Sequence, residues 1–239
     1  MAQQQPAPPP RSGRDDADSY GRLWYELGPR QSARRVLESP VFLEWVRRPV
    51  NPSGRGGGIL EPGNTDVTRT ERQLLFSAED AWRFESGARY RPMLISEAAI
   101  PTEIYAALMY VHDQTAGHAY GPGWRTRVRG ISIQITQMDP GDDRGDHNDS
   151  EKQGEFIASY TAQGSCDIRL CYAAAEPKPA DAPHSARPPY PPQMVRGQSA
   201  GCYYSMRGPS LAKGIYHGVR AHAEGRLSVT FRFVSIAAE

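Results

Sequence analysis

Two histidines and one aspartate have the types and the spacing that could bind a metal ion. His147 and Asp149 are separated by Asn148, and His217 follows 70 positions after His147. Side chains two positions apart on an extended chain share a face, so His147 and Asp149 could reach one ion. Two imidazoles and one carboxylate that leave three positions open are typical of non-heme Fe(II) sites. These residues therefore predict an iron site, with the third ligand supplied by a distant strand.

The acidic residues around this triplet allow two other interpretations. Five acidic residues lie between positions 142 and 151, namely Asp142, Asp143, Asp146, Asp149 and Glu151. They could form a solvated acidic loop or a calcium-binding loop. A calcium loop needs a glycine at its sixth position, and placing Gly145 there puts Pro140 and Arg144 where ligands are required. The calcium pattern therefore fails. The Arg-Gly-Asp tripeptide at 144–146 is interpreted as a coincidence, because nothing in the sequence points to secretion.

The segment from 226 to 234 has the clearest strand pattern in the chain. One face would carry Arg226, Ser228, Thr230, Arg232 and Val234, and the other Leu227, Val229, Phe231 and Phe233. Guanidinium groups are natural partners of carboxylates, so the polar face predicts a wall of a polar cavity. The two arginines lie six positions apart, which is roughly 20 Å along an ideal strand. We therefore assign Arg226 to a distal carboxylate and Arg232 to the neighbourhood of the metal.

Together these motifs resemble the AlkB group of Fe(II)/2-oxoglutarate dioxygenases. The resemblance covers roughly residues 69 to 234 and rests on four motifs: Gln137-Met138-Asp139-Pro140-Gly141, His147-x-Asp149, His217-Gly-Val and Arg226-x5-Arg232. It implies a mainly β fold, a double-stranded β-helix or jelly roll with flanking helices. It also implies that Arg226 pairs with the distal carboxylate of 2-oxoglutarate and that Arg232 pairs with the carboxylate beside the metal.

The activity that the resemblance implies is oxidative. Fe(II), 2-oxoglutarate and O2 would together hydroxylate a carbon and give succinate and CO2, with formaldehyde as a further product when the carbon is an N-methyl group. Because the group often acts on N-linked alkyl carbons of nucleobases, alkylated DNA or RNA is the expected partner.

The resemblance also favours one histidine as the third metal ligand. His217 is preferred to His222, since it precedes Gly-Val as in that group, whereas His222 lies in Ala-His-Ala-Glu-Gly.

Two positions depart from the pattern of the group. Thr136 and Met138 stand where the group has an Asn and a Tyr that also contact the cosubstrate. Thr136 could still donate a hydrogen bond and remains a candidate for cosubstrate binding, whereas Met138 cannot donate one. The cosubstrate would then bind more weakly or in a different arrangement.

Aromatic side chains near the cavity could stack on a substrate base. The stretch from 71 to 87 resembles the substrate lid of the AlkB group, and this likeness implies that Trp82 stacks on a base. A core position for Trp82 is an equally weighted alternative. Trp124 is a second candidate for substrate binding, and for this residue the structural alternative carries more weight.

Length, charge and cysteine content favour an intracellular protein. A chain of 239 residues can bury a full core, and a net charge of +1 gives no overall attraction to nucleic acid. No apolar run approaches a membrane span, and the Gln- and Pro-rich start lacks the features of a signal peptide. Three irregularly spaced cysteines do not make a disulfide framework. We expect a soluble monomer that does not bind membranes.

The chain is expected to divide into three parts. Residues 1–18 predict a disordered tail, residues 19–66 a helical extension followed by a Gly/Pro-rich linker, and residues 67–239 the dioxygenase domain. Within that domain, residues 173–197 contain seven prolines. Because proline cannot donate to a sheet ladder, this stretch predicts a mobile loop near the site.

Apolar periodicity predicts the remaining elements. The extension should hold one or two helices between 18 and 48, with a break near Ser39-Pro40. A further helix is expected from Pro101 to Ala116, with His112 and His118 at its surface. Strands are expected at 131–136, 156–160, 167–172 and 201–206, and the first of these delivers the His-x-Asp loop.

Three functions compete at this point. The first is dealkylation of nucleobases, which the ligand set, the paired arginines and the lid-like stretch favour. The second keeps the oxygenase chemistry but places it on a protein side chain, a lipid or a small metabolite, which the near-neutral charge and the loose lid pattern favour. The third is a non-catalytic β-helix that acts as a binding module, and the departures at Thr136 and Met138 favour it.

Overall fold

The computed structural model describes residues 19–22, 31–48, 69–76, 100–147, 154–172, 194–207 and 215–236. Two of the candidate site residues, Asp149 and Trp82, lie outside these ranges. The expected tail, the Gly/Pro-rich linker and residues 173–193 of the expected proline-rich loop also lie outside them.

Eight strands and three α-helices make up the described part of the chain. In chain order they are β1 (Ser19–Arg22), α1 (Gln31–Leu37), α2 (Pro40–Arg47), β2 (Arg69–Leu75), α3 (Thr102–Tyr120), β3 (Val128–Met138), β4 (Asp143–His147), β5 (Phe156–Tyr172), β6 (Met194–Ser199), β7 (Cys202–Arg207) and β8 (Ile215–Ser235). A short 3-10 helix at Trp124–Thr126 joins α3 to β3.

Two long strands change partners halfway along and so divide the sheet into two layers. The first half of β5, residues 156–164, pairs with β7 and with residues 226–233 of β8. Its second half pairs with β6 and with residues 215–221 of β8. The helix-side layer therefore has the order β1-β7-β5-β8-β3-β2, and the second layer joins β6, β5, β8 and β4. All pairs are antiparallel, and the fold is the jelly roll that the resemblance implies.

Two glycines allow the long strands to bend between the layers. Gly164 has a φ of 70° and Gly225 a φ of 73°, a region that L side chains rarely adopt. A Cβ atom on Gly164 would lie 2.1 Å from the carbonyl oxygen of Gly225, and one on Gly225 would lie 2.8 Å from that of Met138. Three backbones thus pass in direct contact at this corner, and a side chain at either glycine would separate them.

The alternation along β8 sorts its residues between two environments, as the sequence pattern predicts. Its apolar residues Leu227, Val229, Phe231 and Phe233 join a core cluster that also contains residues of the three helices. A second apolar cluster lies between the layers, where Met138, Ile157 and Met206 of the helix-side layer meet Ile168, Leu170 and Val219 of the second layer. The polar face of β8 points toward this second region, so it faces the interior of the jelly roll.

The N-terminal segment differs from its predicted form. Helices α1 and α2 break at Ser39-Pro40 as expected, and the Ser39 hydroxyl accepts a hydrogen bond from the Phe42 amide at the start of α2. Residues 19–22, however, form a strand rather than a helix, because they pair with residues 202–205 of β7 at the edge of the sheet. Pairing with an available sheet edge overrides a local helical pattern.

Three other expectations require correction. The strands expected at 156–160 and 167–172 are the two ends of one bent strand, β5. The last four residues of the expected proline-rich loop, 194–197, belong to β6 and pair with β5. The helix α3 runs four residues beyond its expected end.

His112 was expected at the surface of α3 but lies in the core. It is buried, and its ring stacks on Phe233 with a centroid distance of 4.8 Å. Burial lowers the pKa of His112, so the neutral ring packs as an aromatic side chain.

None of the helices in the described ranges has the length and hydropathy that crossing a bilayer requires.

Replacing Gly164 with alanine should destabilise the fold strongly. We expect a loss of at least about 2 kcal/mol, because the positive φ costs about 1–2 kcal/mol and the added Cβ meets the Gly225 backbone. Gly121→Ala is the matched control, since Gly121 has a φ of 74° with nothing within 4 Å of an added Cβ. Denaturant unfolding of both variants measures the difference, and equal losses would show that the corner contact is unimportant.

Candidate functional site

A cavity lies between the inner faces of the two layers. It opens to solvent, and the empty space counted out to its mouth is about 470 Å³. The helix-side layer lines it with amide and hydroxyl side chains, namely Gln134, Thr136, Ser159, Ser228 and Thr230. Arg226 and Arg232 lie on the same wall, and the second layer contributes Arg144, His147 and His217. The cavity therefore brings together the two histidines and the two arginines that the sequence singles out.

The two histidines face each other across neighbouring strands. His147 at the end of β4 pairs directly with His217 in β8, and their ring centroids are 4.4 Å apart. The Nδ1 of His147 lies 2.9 Å from the Gly145 carbonyl oxygen, which can only accept a hydrogen bond. Nδ1 therefore carries a proton, so Nε2 is the ring nitrogen that would bind a metal ion. Two adjacent imidazoles fit a transition-metal ion.

A β-bulge aims two residues of β4 into the cavity. Arg144 pairs with Val219 and His147 pairs with His217, so three steps along β4 match two steps along β8. Residues three apart on a regular strand would face opposite sides of the sheet. The extra residue places Arg144 and His147 on the same side, and both line the cavity.

A cluster of charges on the outer face of the second layer holds β4 in place. Arg169 of β5 donates two hydrogen bonds to Asp143, at 2.6 and 2.8 Å, and one to Asp146 at 3.1 Å. Its guanidinium also lies 3.3 Å from the Arg144 carbonyl oxygen. The hydrogen bonds to Asp143 and Asp146 raise the pKa of Arg169, against the effect of burial. Arg169 thus ties the strand that carries His147 to the centre of the sheet.

The glycine after His217 makes room for this cluster. A Cβ atom on Gly218 would lie 2.2 Å from an Asp146 carboxylate oxygen and 2.6 Å from a nitrogen of Arg169. Gly218 therefore lets the ion-paired groups lie flat against β8. This contact gives a physical reason for glycine in the His217-Gly-Val motif.

Arg226 is a buried cation whose partners are neutral. Its side chain is 5% exposed, and it donates to the Thr161 hydroxyl at 3.2 Å and to the Ser159 hydroxyl at 3.3 Å. Thr161 in turn donates to the Gln198 side chain at 3.0 Å. No carboxylate pairs with Arg226 in the part of the chain that the structure describes. A buried guanidinium without an anion carries a desolvation cost, which a bound carboxylate would offset.

Arg232 and Thr136 lie on the same wall as Arg226. Arg232 is 3% exposed and donates to the Gln134 side-chain oxygen at 3.2 Å. Thr136 is buried in β3 opposite Ser228, which donates to its carbonyl oxygen. Met138 also lines this wall and supplies an apolar side chain there. Although the two arginines are six positions apart, both reach one cavity because they share the inner face of β8.

Two of the alternative residues lie away from the cavity. Trp124 packs on the helix side of the sheet, where its ring contacts His112 edge-on, which is the position that the structural alternative describes; its assignment to substrate binding stays a prediction. Trp124 begins the short 3-10 helix that follows α3, and this position keeps its ring on the helix side. His222 lies on the outer face, where Nδ1 is 2.8 Å from the Ser165 hydroxyl and Nε2 is 3.2 Å from Asp167. It does not accompany His147 in the cavity.

The roles of Arg144, Arg169 and Ser159 were not predicted from the sequence. Arg144 was set aside as part of an Arg-Gly-Asp tripeptide, because nothing in the sequence reveals a bulge at this point. The alternation of residues 166 to 170 does put Arg169 on the face opposite Ile168, and this outward position could have indicated a partner for the acidic residues of β4. Ser159 lies on the inner face of a strand that was correctly expected.

The comparisons with known proteins concern the fold. No protein-family model and no curated protein matches the chain. Among solved structures, a Pseudomonas putida prolyl-4-hydroxylase matches with a TM-score of 0.52 at 13% identity, over 92% of this chain and 93% of that chain. This likeness shows that the two proteins share a fold.

Other structures match less well. A 2OG-Fe(II) oxygenase family oxidoreductase from Burkholderia pseudomallei has a TM-score of 0.47 at 14% identity, over 92% of this chain and 85% of that chain. OsALKBH1 has a TM-score of 0.44 at 15% identity, over 90% and 97%. The 11S globulin of Wrightia tinctoria matches 48% of this chain at 10% identity and a TM-score of 0.30, and the match spans only 22% of the globulin chain.

Replacing Arg169 with glutamine should weaken metal binding more than it weakens the fold. We expect a 10- to 100-fold lower affinity for Co(II), because groups that orient metal ligands typically have effects of about this size. Titration calorimetry measures the affinity, and denaturant unfolding measures the stability. Arg196→Gln, which removes an exposed arginine from the neighbouring strand β6, is the control. An unchanged Co(II) affinity in Arg169→Gln would mean that the cluster has no role in positioning His147.

Proposed function

We propose that this protein is an Fe(II)- and 2-oxoglutarate-dependent dioxygenase. The observation that carries the proposal is the pairing, in one cavity, of two adjacent imidazoles with a buried Arg226 whose hydrogen bonds go to hydroxyl groups. This chemistry requires a metal ion that histidines hold. It also requires a buried arginine that binds a carboxylate of 2-oxoglutarate. The shared fold with a prolyl-4-hydroxylase agrees with it.

His147, His217 and Asp149 are the residues that would hold the iron. The imidazoles suit Fe(II), and the proton on His147 Nδ1 leaves the other ring nitrogen available. Asp149 lies two positions after His147 and would add a negatively charged oxygen ligand. Bound Fe(II) would supply the activation of O2 that oxidises a C–H bond, while 2-oxoglutarate is converted to succinate and CO2.

The cavity wall formed by β8 and β3 would bind 2-oxoglutarate. Arg226 would pair with the distal carboxylate, and the Ser159 and Thr161 hydroxyls that already contact its guanidinium would hold it in place. Arg232 would pair with the carboxylate nearer the metal, with Gln134 fixing its orientation. Thr136 would contribute a polar contact from the neighbouring strand. A carboxylate in this wall would give the buried guanidinium of Arg226 an anionic partner, which it lacks among the described residues.

N-alkylated nucleobases in DNA or RNA are the substrates that we propose. The support is the likeness of the sequence motifs to the AlkB group, in which hydroxylation of an N-methyl carbon releases formaldehyde. Succinate and formaldehyde release should be measured with Fe(II) and 2-oxoglutarate across alkylated oligonucleotides, N-methylated peptides and small amines. Stimulation by the oligonucleotides alone supports the proposal, and stimulation by another class alone would move the chemistry to that class. Iron binding without any turnover would favour a binding module.

Arg226→Gln should separate cosubstrate binding from metal binding. We expect the KM for 2-oxoglutarate to rise at least tenfold, because a charge-assisted hydrogen bond is lost, while Co(II) affinity stays within about twofold of the wild type. His217→Ala, in contrast, should abolish metal binding. Succinate release and Co(II) titration measure the two effects, and equal metal loss in both variants would contradict the division of roles.

The same variant should also change stability in a ligand-dependent way. Without ligands, Arg226→Gln should be at least as stable as the wild type, because the variant removes a buried charge that has no anionic partner among the described residues. Adding saturating 2-oxoglutarate to protein that already holds Mn(II) should raise the unfolding midpoint of the wild type further, and that of the variant much less. A ligand-free variant that is much less stable would assign Arg226 a structural role instead.

A further inference from the structure

Arg144 is a third cation that lines the cavity. It faces inward because the bulge in β4 turns it to the same side as His147, and it pairs in the ladder with the buried Val219. The guanidinium of Arg144 makes no hydrogen bond or ion pair in the part of the chain that the structure describes, although the carboxylates of Asp143 and Asp146 lie on the same strand. Those carboxylates bind Arg169 on the opposite face.

After 2-oxoglutarate has bound, Arg144 still has no anionic partner among the residues that the structure describes. The described residues that line the cavity include three arginines and no carboxylate. 2-Oxoglutarate is a dianion and can match Arg226 and Arg232, which share one wall. Arg144 lies on the other layer, beside His147, and it is partly exposed where Arg226 and Arg232 are buried. Its position is therefore suited to a second anion that enters from solvent.

We infer that Arg144 binds an oxyanion, a phosphate or a carboxylate, that the primary substrate carries close to its reacting carbon. The inference rests on the proposed function for the identity of the site, and it adds that neutral substrates are disfavoured. Arginine binds both oxyanions through paired N–H donors. A bulge that directs a cation beside a metal ligand, with the acidic neighbours turned outward, is the geometry expected of a substrate-binding residue.

Binding of simple anions tests the inference without turnover. The protein with Mn(II) and saturating 2-oxoglutarate is titrated with inorganic phosphate and, separately, with acetate, and the affinities are compared between the wild type and Arg144→Gln. We expect at least one anion to bind the wild type and to bind Arg144→Gln about tenfold more weakly. Arg144→Lys, which keeps the charge, should retain part of the affinity. Arg220→Gln is the control, because Arg220 follows Val219 in β8 and is exposed on the outer face.

Each outcome of this experiment has a distinct meaning. A loss specific to Arg144→Gln supports the inference, and the anion that binds more tightly tells whether the substrate carries a phosphate or a carboxylate. Equal affinities in the wild type and Arg144→Gln, equal losses in Arg144→Gln and Arg220→Gln, or no anion binding by the wild type would overturn it. The titrations are repeated without 2-oxoglutarate. A wild type that binds phosphate through Arg144 but never binds 2-oxoglutarate would remove the dioxygenase proposal and leave the anion site standing.

Activity provides a second measurement once a substrate is known. For a substrate and its analogue in which the oxyanion is replaced by a neutral group, Arg144→Gln should raise the KM of the anionic form at least tenfold and leave that of the neutral form unchanged. The KM for 2-oxoglutarate should not change. An equal effect on both forms would mean that Arg144 does not recognise the anion.

Discussion

The contact between the backbones at Gly164, Gly225 and Met138 is the constraint on which the two-layered structure depends. Both long strands must pass from one layer to the other at this point, and they do so with no side chain between them. The layers then face each other closely enough for apolar residues to fill one region between them and polar residues another. Histidines from the second layer and arginines from the helix-side layer meet only because the strands bend here.

The interior of this jelly roll is less apolar than folding alone would favour. Burying Arg226, Arg232 and several hydroxyl groups costs free energy, which the hydrogen bonds among them offset only in part. The compensating apolar burial lies on the other face of the same strands, where β8 packs against the helices. The face of the sheet that packs on the helices stabilises the fold, and the opposite face lines the polar cavity. A polar cavity can therefore exist beside a well-packed core.

The sequence predicted the parts of the site that depend on local periodicity. Alternation along 226–234 placed both arginines on one face, and the structure agrees because strand geometry leaves no other arrangement. A third ligand from a distant strand was expected from the ligand types, but the choice of His217 over His222 came from the family resemblance, since no local pattern links residues 70 positions apart. The role of Arg144 could not be predicted, because it depends on one extra residue in β4 relative to β8. The strand at 19–22 and the burial of His112 were missed for a similar reason, since both depend on tertiary contacts.

The corner of β8 has a consequence for how such a site can diverge. Residues 222–225 have no ladder partner on β5, whereas residues on both sides of them are paired in register. Changes in length at residues 222–224, which leave Gly225 and its backbone contacts in place, would leave the register of His217 in one layer and of Arg226 in the other undisturbed, because each is set by its own neighbours on β5. The corner therefore uncouples the register of the half of β8 that carries the histidine from the register of the half that carries the arginines.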